Sequence, residues 1–402
     1  MSDAKPIVVV HVEVGGSYGG SLRALELYLA YSQHSRFLHD VLFYYPTPGS
    51  DRLTSLARNV RSLYQRSPED NAQQRGATAS KPLRAALKAS PFAAVALDFY
   101  HWIRLARALP TVRSLASIFR DRRYDVIHVN NTFTYQPATL LAAKFTRIPV
   151  VAHVRNPVRL GSFAKKMMGL AKQVITVNRT FETELRSNGI PVRTCYDALE
   201  PPTVDRSASS DLRASLVPPG GILIGSVGRL DKQKGFEDFV RAARKVVEMR
   251  SDVHFAIAGD GPLRTQIEKL IAELDLTSRF RLCGFREDPG NFVEALDLFV
   301  SSSLWEGLPL SVMEAILLRK PVVATDVGGN SEIIVPGVTG ELVPPSDPEA
   351  LASTILAALD KRDQYHLEEA KKRVALLSDP ILSAQAIDET IETVSRAAQS
   401  RA

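Results

Sequence analysis

Ile222-Leu-Ile-Gly-Ser-Val227-Gly-Arg-Leu-Asp-Lys-Gln-Lys234-Gly235-Phe236 is the stretch on which the reading of this chain turns. Its first six residues are apolar or small on both faces, as in a parallel strand covered on both sides. A turn follows with Gly228 and Gly235, which allow tight bends, and with two cations, Arg229 and Lys234. From Phe236 to Met249 apolar residues recur at helical spacing. Strand, loop and helix in that order form one unit of a doubly wound sheet, and such sheets bind anions in the loops at the carboxyl ends of their strands. The stretch is neither a Walker loop nor a dinucleotide fingerprint, and a solvated basic loop is the alternative reading.

The same rhythm extends in both directions. Strand-like runs lie at 255–258, 280–283, 298–301 and 322–325, with a helical run at 262–274. Toward the N-terminus they lie at 7–14, 41–45, 126–129, 150–154 and 174–177. The fold class is therefore α/β, with two Rossmann-like doubly wound domains, and 402 residues suffice for two cores. The expected boundaries are a first domain over 1–200, a Pro/Ser-rich linker over 201–210 and a second domain over 211–380. A final helix over 381–402 is expected to return to the first domain. An ordinary long loop is the alternative for the linker.

Composition narrows the class. The net charge is +6, yet 52–123 holds 14 Lys/Arg against 4 Asp/Glu, so the rest of the chain is net acidic. This basic segment sits in a stretch, 46–123, that breaks the strand–helix rhythm and includes a run of low hydrophobicity at 67–80. It reads as a surface excursion that ends in helical material, with Val112, Leu115, Ala116 and Phe119 on one face and Arg113 and Arg120 on another. No apolar run reaches 18 residues, and the N-terminus lacks the three-part pattern of a signal peptide. Cys195 and Cys283 lie in different halves without metal spacing, which fits small core residues in a reducing cytosol.

Three further motifs carry chemistry. In Ser303-Leu-Trp-Glu306-Gly-Leu-Pro309-Leu310-Ser311-Val-Met-Glu314, Glu306 ends a loop after a strand. Pro309 suits a first helical turn, from which the helix is expected to run to Lys320. Free N–H groups at such a helix start, with the positive end of its dipole, make a seat for a diphosphate. Glu314, deeper in the helix, could accept two hydrogen bonds from a ribose diol; a capped helix with a surface glutamate is the alternative. A glycine-rich turn at 15–20, with Gly19 and Gly20, would let backbone approach a phosphate or sugar. Val151-Ala-His153-Val-Arg155 ends a strand, where a histidine can face a cleft, although isolated histidines are more often structural. His128-Val-Asn130-Asn131 ends another.

Together these motifs resemble the family 4 retaining glycosyltransferases of the two-domain GT-B fold. Glu306 and Glu314 match that family's E-x7-E signature. Gly228-Arg229 and Lys234-Gly235 match its phosphate loop, Gly259-Asp260-Gly261-Pro262 its G-D-G-P turn, and Val327-Gly328-Gly329 with Glu332 a further segment. Asp197-Ala198 departs from the usual Asn-Gly. The resemblance implies two facing domains with the donor in the interdomain cleft. It implies Arg229 and Lys234 on the donor diphosphate, helped by amides at Leu310 and Ser311, and Glu314 on the ribose. Glu306 and His153 would act at the transferred sugar, backbone at Cys283, Gly284 and Phe285 would frame the base, and Gly19 and Gly20 would approach diphosphate and acceptor.

No cofactor and no metal are expected, because no Asp has another Asp two positions on, and the cations and helix dipole can carry the leaving group's charge. The donor would be a UDP- or GDP-sugar, and the acceptor a cell-surface glycan or a lipid-linked sugar. The basic segment 52–123 would meet an anionic membrane from the cytoplasmic side. A sugar-nucleotide epimerase, a non-catalytic nucleotide-sugar binder and a nucleic-acid binder are the competing readings; no recognised nucleic-acid module is present.

Overall fold

The computed structural model describes residues 5–15, 19–65, 93–131, 133–158 and 160–400. The chain divides into two compact units, residues 1–198 with 380–402, and residues 199–379. The run at 67–80 and Arg66 lie outside the described residues.

The first unit runs β1 (Ile7–Glu13), α1 (Gly20–Tyr31), β2 (Phe37–Phe43), β3 (Asn59–Ser62), α2 (Ala93–Arg107), α3 (Leu109–Arg122), β4 (Val126–Val129) and α4 (Pro137–Thr146). It continues with β5 (Val150–Val154), α5 (Ser162–Met168), β6 (Gln173–Thr176), α6 (Arg179–Ser187) and β7 (Val192–Thr194). Its strands form one sheet in the order β3-β2-β1-β4-β5-β6-β7, and every pairing is parallel. The second unit runs α7 (Arg206–Leu216), β8 (Ile222–Val227), α8 (Phe236–Met249), β9 (Val253–Ala258), α9 (Arg264–Glu273), β10 (Phe280–Leu282) and α10 (Pro289–Ala295). There follow β11 (Leu298–Ser301), α11 (Leu310–Leu317), β12 (Val322–Thr325), α12 (Asn330–Ile333), β13 (Glu341–Val343), α13 (Pro348–Lys361) and α14 (Leu367–Leu377). Its parallel sheet has the order β10-β9-β8-β11-β12-β13. Last comes α15 (Pro380–Gln399), which packs on α1 in the first unit.

Strand alternation separates two cores in the first unit. Val10, Val12, Ile127 and Ala152 face one way, toward Leu115, Phe119 and Phe163. Val9, Val41, Val126 and Val151 face the other way, toward Leu25 and Leu29 of α1 and Ile387 and Ile391 of α15.

Three expectations are corrected. The stretch 46–123 is not wholly a surface excursion: β3 adds an edge strand beside β2, and α3 buries Val112, Leu115, Ala116 and Phe119 in the core. That face is the one expected from the sequence, and Arg113 and Arg120 are exposed on the other. Residues 206–210 are not linker but the first turns of α7, because the Asp205 carboxylate caps the N–H groups of Ser207 and Ala208. Finally, α11 starts after Pro309 and ends at Leu317, short of Lys320, where Arg319 turns into the left-handed region at φ 56°.

Candidate active site

In the second unit the strand order reverses between β8 and β11, and a doubly wound sheet leaves its crevice at that switch point, beyond the carboxyl ends. The loops that leave these two strands are 228–235, with Arg229 and Lys234, and 302–309, with Glu306.

They are tied together. Lys234 Nζ donates to Glu306 Oε1 at 2.6 Å, Ser303 Oγ to the same oxygen at 2.7 Å, and Gln233 Nε2 to Oε2 at 3.1 Å. Leu304 N–H reaches Gln233 O at 2.7 Å, and Ser302 Oγ reaches Lys234 O at 2.9 Å. Glu306 is buried with three donors on its carboxylate, as a buried charge requires. Gly235 has φ 59°, and a Cβ there would lie 2.2 Å from Ser302 O, so only glycine brings the two loops this close. Gly328 plays the same part for the next loop: at φ 55° it lies against the Glu306 carbonyl, and Gly329 N–H donates to Gly307 O at 2.8 Å.

The helix start is next to Glu306. Pro309 caps α11 without a side-chain acceptor, and no acidic residue occupies the first turn. The N–H groups of Leu310 and Ser311 have no acceptor within the helix. Glu314 is buried on α11. Arg229 is largely exposed, with Asp231 3.8 Å from its Nε. The next loops follow the same plan: Gly259 N–H donates to Gly284 O at 2.7 Å, Gly284 sits at φ 72°, and Phe285 is exposed. The structure thus gathers Lys234, Glu306 and the α11 start into one cluster, with Arg229 and Glu314 on the same loop and helix.

In the first unit, Gly19 caps α1 and Gly20 begins it. His153 is fully buried near the end of β5, and Arg155 Nη2 lies 3.3 Å from its Nδ1. Burial, then the Arg155 cation, and then the neighbouring His128 ring hold the His153 pKa well below the ordinary histidine value, so the ring is neutral. Arg155 also donates to Asn130 O at 2.9 Å and pairs with Asp197. Asn130 Nδ2 donates to Glu13 Oε2 at 2.8 Å, and burial raises the Glu13 pKa. Glu13 had no motif to announce it, and the motifs that contain Asp197, Arg155 and Asn130 gave no sign of the bonds between them. Only their places at strand ends could have pointed to them.

Two family models match the chain. "Glycosyltransferase Family 4" takes in residues 33–196, and "Glycosyl transferases group 1" takes in 209–374. Among curated proteins, the α-D-kanosaminyltransferase of Streptomyces kanamyceticus is 34% identical over 161 residues, which is 40% of this chain and 40% of that protein. The UDP-Gal:alpha-D-GlcNAc-diphosphoundecaprenol alpha-1,3-galactosyltransferase of Escherichia coli is 24% identical over 282 residues, 65% of this chain and 73% of that one. The matched stretch thus spans well under half of the kanosaminyltransferase. Among solved structures, HepE of Anabaena in complex with UDP and glucose aligns over 96% of this chain and 99% of its own, with TM-score 0.72 and 21% identity. Sucrose-phosphate synthase from Thermosynechococcus elongatus aligns over 97% and 100%, with TM-score 0.70 and 18% identity. At these identities the likeness shows the fold, two Rossmann-like units as in GT-B enzymes. With one family model on each unit, which together take in most of the chain, the chain belongs to the family 4 type of glycosyltransferases.

Proposed function

We propose that this chain transfers a hexose or N-acetylhexosamine from a UDP- or GDP-sugar to a glycan or lipid-linked acceptor, with retention at the anomeric carbon and without a metal ion. The observation that carries the reading is the Lys234–Glu306 cluster beside the start of α11, at the switch point of the second unit. Breaking the bond between sugar and diphosphate leaves negative charge on the diphosphate. Lys234 has three N–H donors and gives one to Glu306, so others are available to a phosphate oxygen. Arg229 offers an exposed guanidinium, and the amides of Leu310 and Ser311 offer fixed dipoles, and each could stabilise charge that grows in the transition state. Glu306, anchored by three donors, is fit to orient a sugar hydroxyl, and Glu314 to hold the ribose. His153 would serve the transferred sugar as a neutral hydrogen-bond donor. Gly284 and Phe285 would frame the base, and Gly19 and Gly20 would lie near diphosphate and acceptor.

The donor class is supported by the UDP-sugar in the name of the Escherichia coli relative and the UDP in the Anabaena complex. Metal independence is supported by the lack of any Asp-x-Asp pair and by the cations in its stead. A thermal-shift panel of UDP, GDP, ADP and their sugar conjugates tests the seat, since a ligand that binds only the folded state raises the melting temperature. A shift with UDP or GDP and their sugars supports the reading, and no shift with any of them contradicts it. With a donor in hand, the anomeric configuration of the product, read by NMR, tests retention.

A lipid-linked acceptor would bring the enzyme to a membrane. No described helix is long and apolar enough to cross one. On the first unit, however, Phe99 and Trp102 of α2 are exposed, Lys166 lies 5.5 Å over the Trp102 ring, and Arg113 and Arg120 lie on the outer face of α3. Each such cation near an anionic leaflet contributes about 1 kcal/mol. Sedimentation with anionic vesicles at low salt should pull the protein down, and Arg113→Glu with Arg120→Glu should release it. A wild-type protein that ignores those vesicles removes the membrane from the proposal.

A further inference from the structure

Four histidines lie in one buried row across the first sheet: His39 on β2, His11 on β1, His128 on β4 and His153 on β5. They share strand parity with Val41, Val9, Val126 and Val151, which puts them on the face covered by α1 and α15. His11 and His128 are direct partners in the β1–β4 register. Three of these rings have no part in the proposed transfer.

With Asp388 as the carboxylate, their contacts admit one arrangement of protons. Asp388 on α15 accepts from the Tyr28 hydroxyl at 2.7 Å, the Ser32 hydroxyl at 2.8 Å and the Gln33 N–H at 3.0 Å. Burial raises the Asp388 pKa, and these three donors pull it back toward the carboxylate. Ser32 has one hydroxyl proton, directed at Asp388, so its oxygen accepts from His39 Nε2, 3.0 Å away. Burial holds the His39 pKa down at about 3, so the ring is neutral and its Nδ1 is bare. That nitrogen accepts from His11 Nε2 at 3.0 Å. His11 is likewise neutral, through burial and its two histidine neighbours, and its Nδ1 accepts from His128 Nδ1 at 2.8 Å. His128, brought to about 3 chiefly by burial, therefore carries its one proton on Nδ1 and leaves Nε2 bare.

His153 is set from the other side. Arg155 can only donate, so His153 Nδ1 accepts from it, and the ring proton sits on Nε2. Among the described residues, His128 Nε2 and His153 Nε2 are both buried without a hydrogen-bond partner. One is an acceptor and the other a donor, on adjacent strands, with ring centroids 5.7 Å apart. An orphaned buried polar atom costs about 1–3 kcal/mol, and a single hydroxyl oxygen, which both donates and accepts, satisfies the two together.

We propose that His128 and His153 together bind one hydroxyl group, which accepts from His153 Nε2 and donates to His128 Nε2, and that Asp388 and Arg155 are the positioning residues that fix the two ring tautomers. The hydroxyl is that of an ordered water or of a sugar substrate; both present the same chemistry. The tautomers stand whether or not the second unit binds a nucleotide sugar.

Nitrogen-15 NMR of the full chain, labelled at histidine and held at neutral pH, tests this directly. His11, His39 and His153 are expected neutral with the proton on Nε2, and His128 alone with the proton on Nδ1. A His128 ring protonated on Nε2, or charged, would overturn the proposal. Ser32→Ala cuts the link to Asp388 and should shift the His39, His11 and His128 signals toward mixed tautomers while His153 stays unchanged; a His128 signal that does not move refutes the role of Asp388. A high-resolution crystal structure then identifies the hydroxyl. An oxygen between the two Nε2 atoms that persists when a nucleotide sugar binds is water, and one replaced by a sugar oxygen is a substrate subsite. No oxygen there in either crystal refutes the shared site.

Discussion

Lys234 and Glu306 sit 72 residues apart in sequence and 2.6 Å apart in space, and each makes the other tolerable in a half-buried loop. If Lys234 also holds the donor diphosphate, Lys234→Ala should weaken UDP or GDP binding by about 1.5–3 kcal/mol, the range for a hydrogen bond to a charged group. Isothermal titration measures it, and an unchanged affinity counts against the seat. Glu306→Gln keeps the side chain's size and some hydrogen bonding but loses the charge. It should leave nucleotide affinity near wild type while turnover falls, as the ratio of kcat to KM reports. Gly235→Ala is a test of the scaffold. Its Cβ would sit 2.2 Å from Ser302 O in a left-handed turn. The conformation alone costs about 1–2 kcal/mol, so the urea midpoint should drop and donor affinity should drop with it.

At the scale of elements, what sequence could reveal depended on length and on locality. The runs at 126–129, 150–154, 298–301 and 322–325 are strands as expected, because continuous Val and Ile between turns leave few alternatives. Edge strands β3 and β7 were missed: Asn59–Ser62 and Val192–Thr194 carry polar residues and too few apolar ones to stand out. The motifs of loops 228–235 and 302–309 were legible because glycine and proline placement is local. Their bonding through Lys234, Gln233 and Ser303 was not, since it depends on which strands neighbour each other. The histidine row was hidden for the same reason: His11, His39 and His128 are far apart in sequence and meet only through parallel register. α15 shows the reach of such contacts. Ala384, Ile387, Ile391 and Val394 are buried on the first sheet although they end the chain. A large aliphatic side chain contributes about 1.5–3 kcal/mol by burial, so removal of 380–402 should cost much of a domain's stability of about 5–15 kcal/mol. Circular dichroism melting should show it, and a truncated chain that melts like wild type would mean that α15 is dispensable.

For the molecule as a whole, the buried histidines set an acid limit. His11, His39, His128 and His153 are all held below the ordinary value of 6.5 in the folded chain and return to it on unfolding. Below that pH the unfolded state binds more protons, so stability falls as pH falls, by up to about 1.4 kcal/mol per pH unit for each histidine. Glu13 and Asp388, whose pKa values are raised, act in the opposite sense at lower pH and offset part of this loss. Urea unfolding at pH 7.5, 6.5 and 5.5 should give a stability that drops most over the last interval; a flat profile would mean that the rings are not buried neutral. The central claim, a donor diphosphate held by Arg229, Lys234 and the α11 start without metal, has its most direct test in one titration. UDP and GDP are titrated into wild type and into the Arg229→Ala, Lys234→Ala double variant, all in excess EDTA. Wild type is expected to bind one of the two nucleotides with the chelator present, and the double variant to lose most of that affinity. Binding that appears only when Mg²⁺ or Mn²⁺ is restored, or that survives in the double variant, would contradict it.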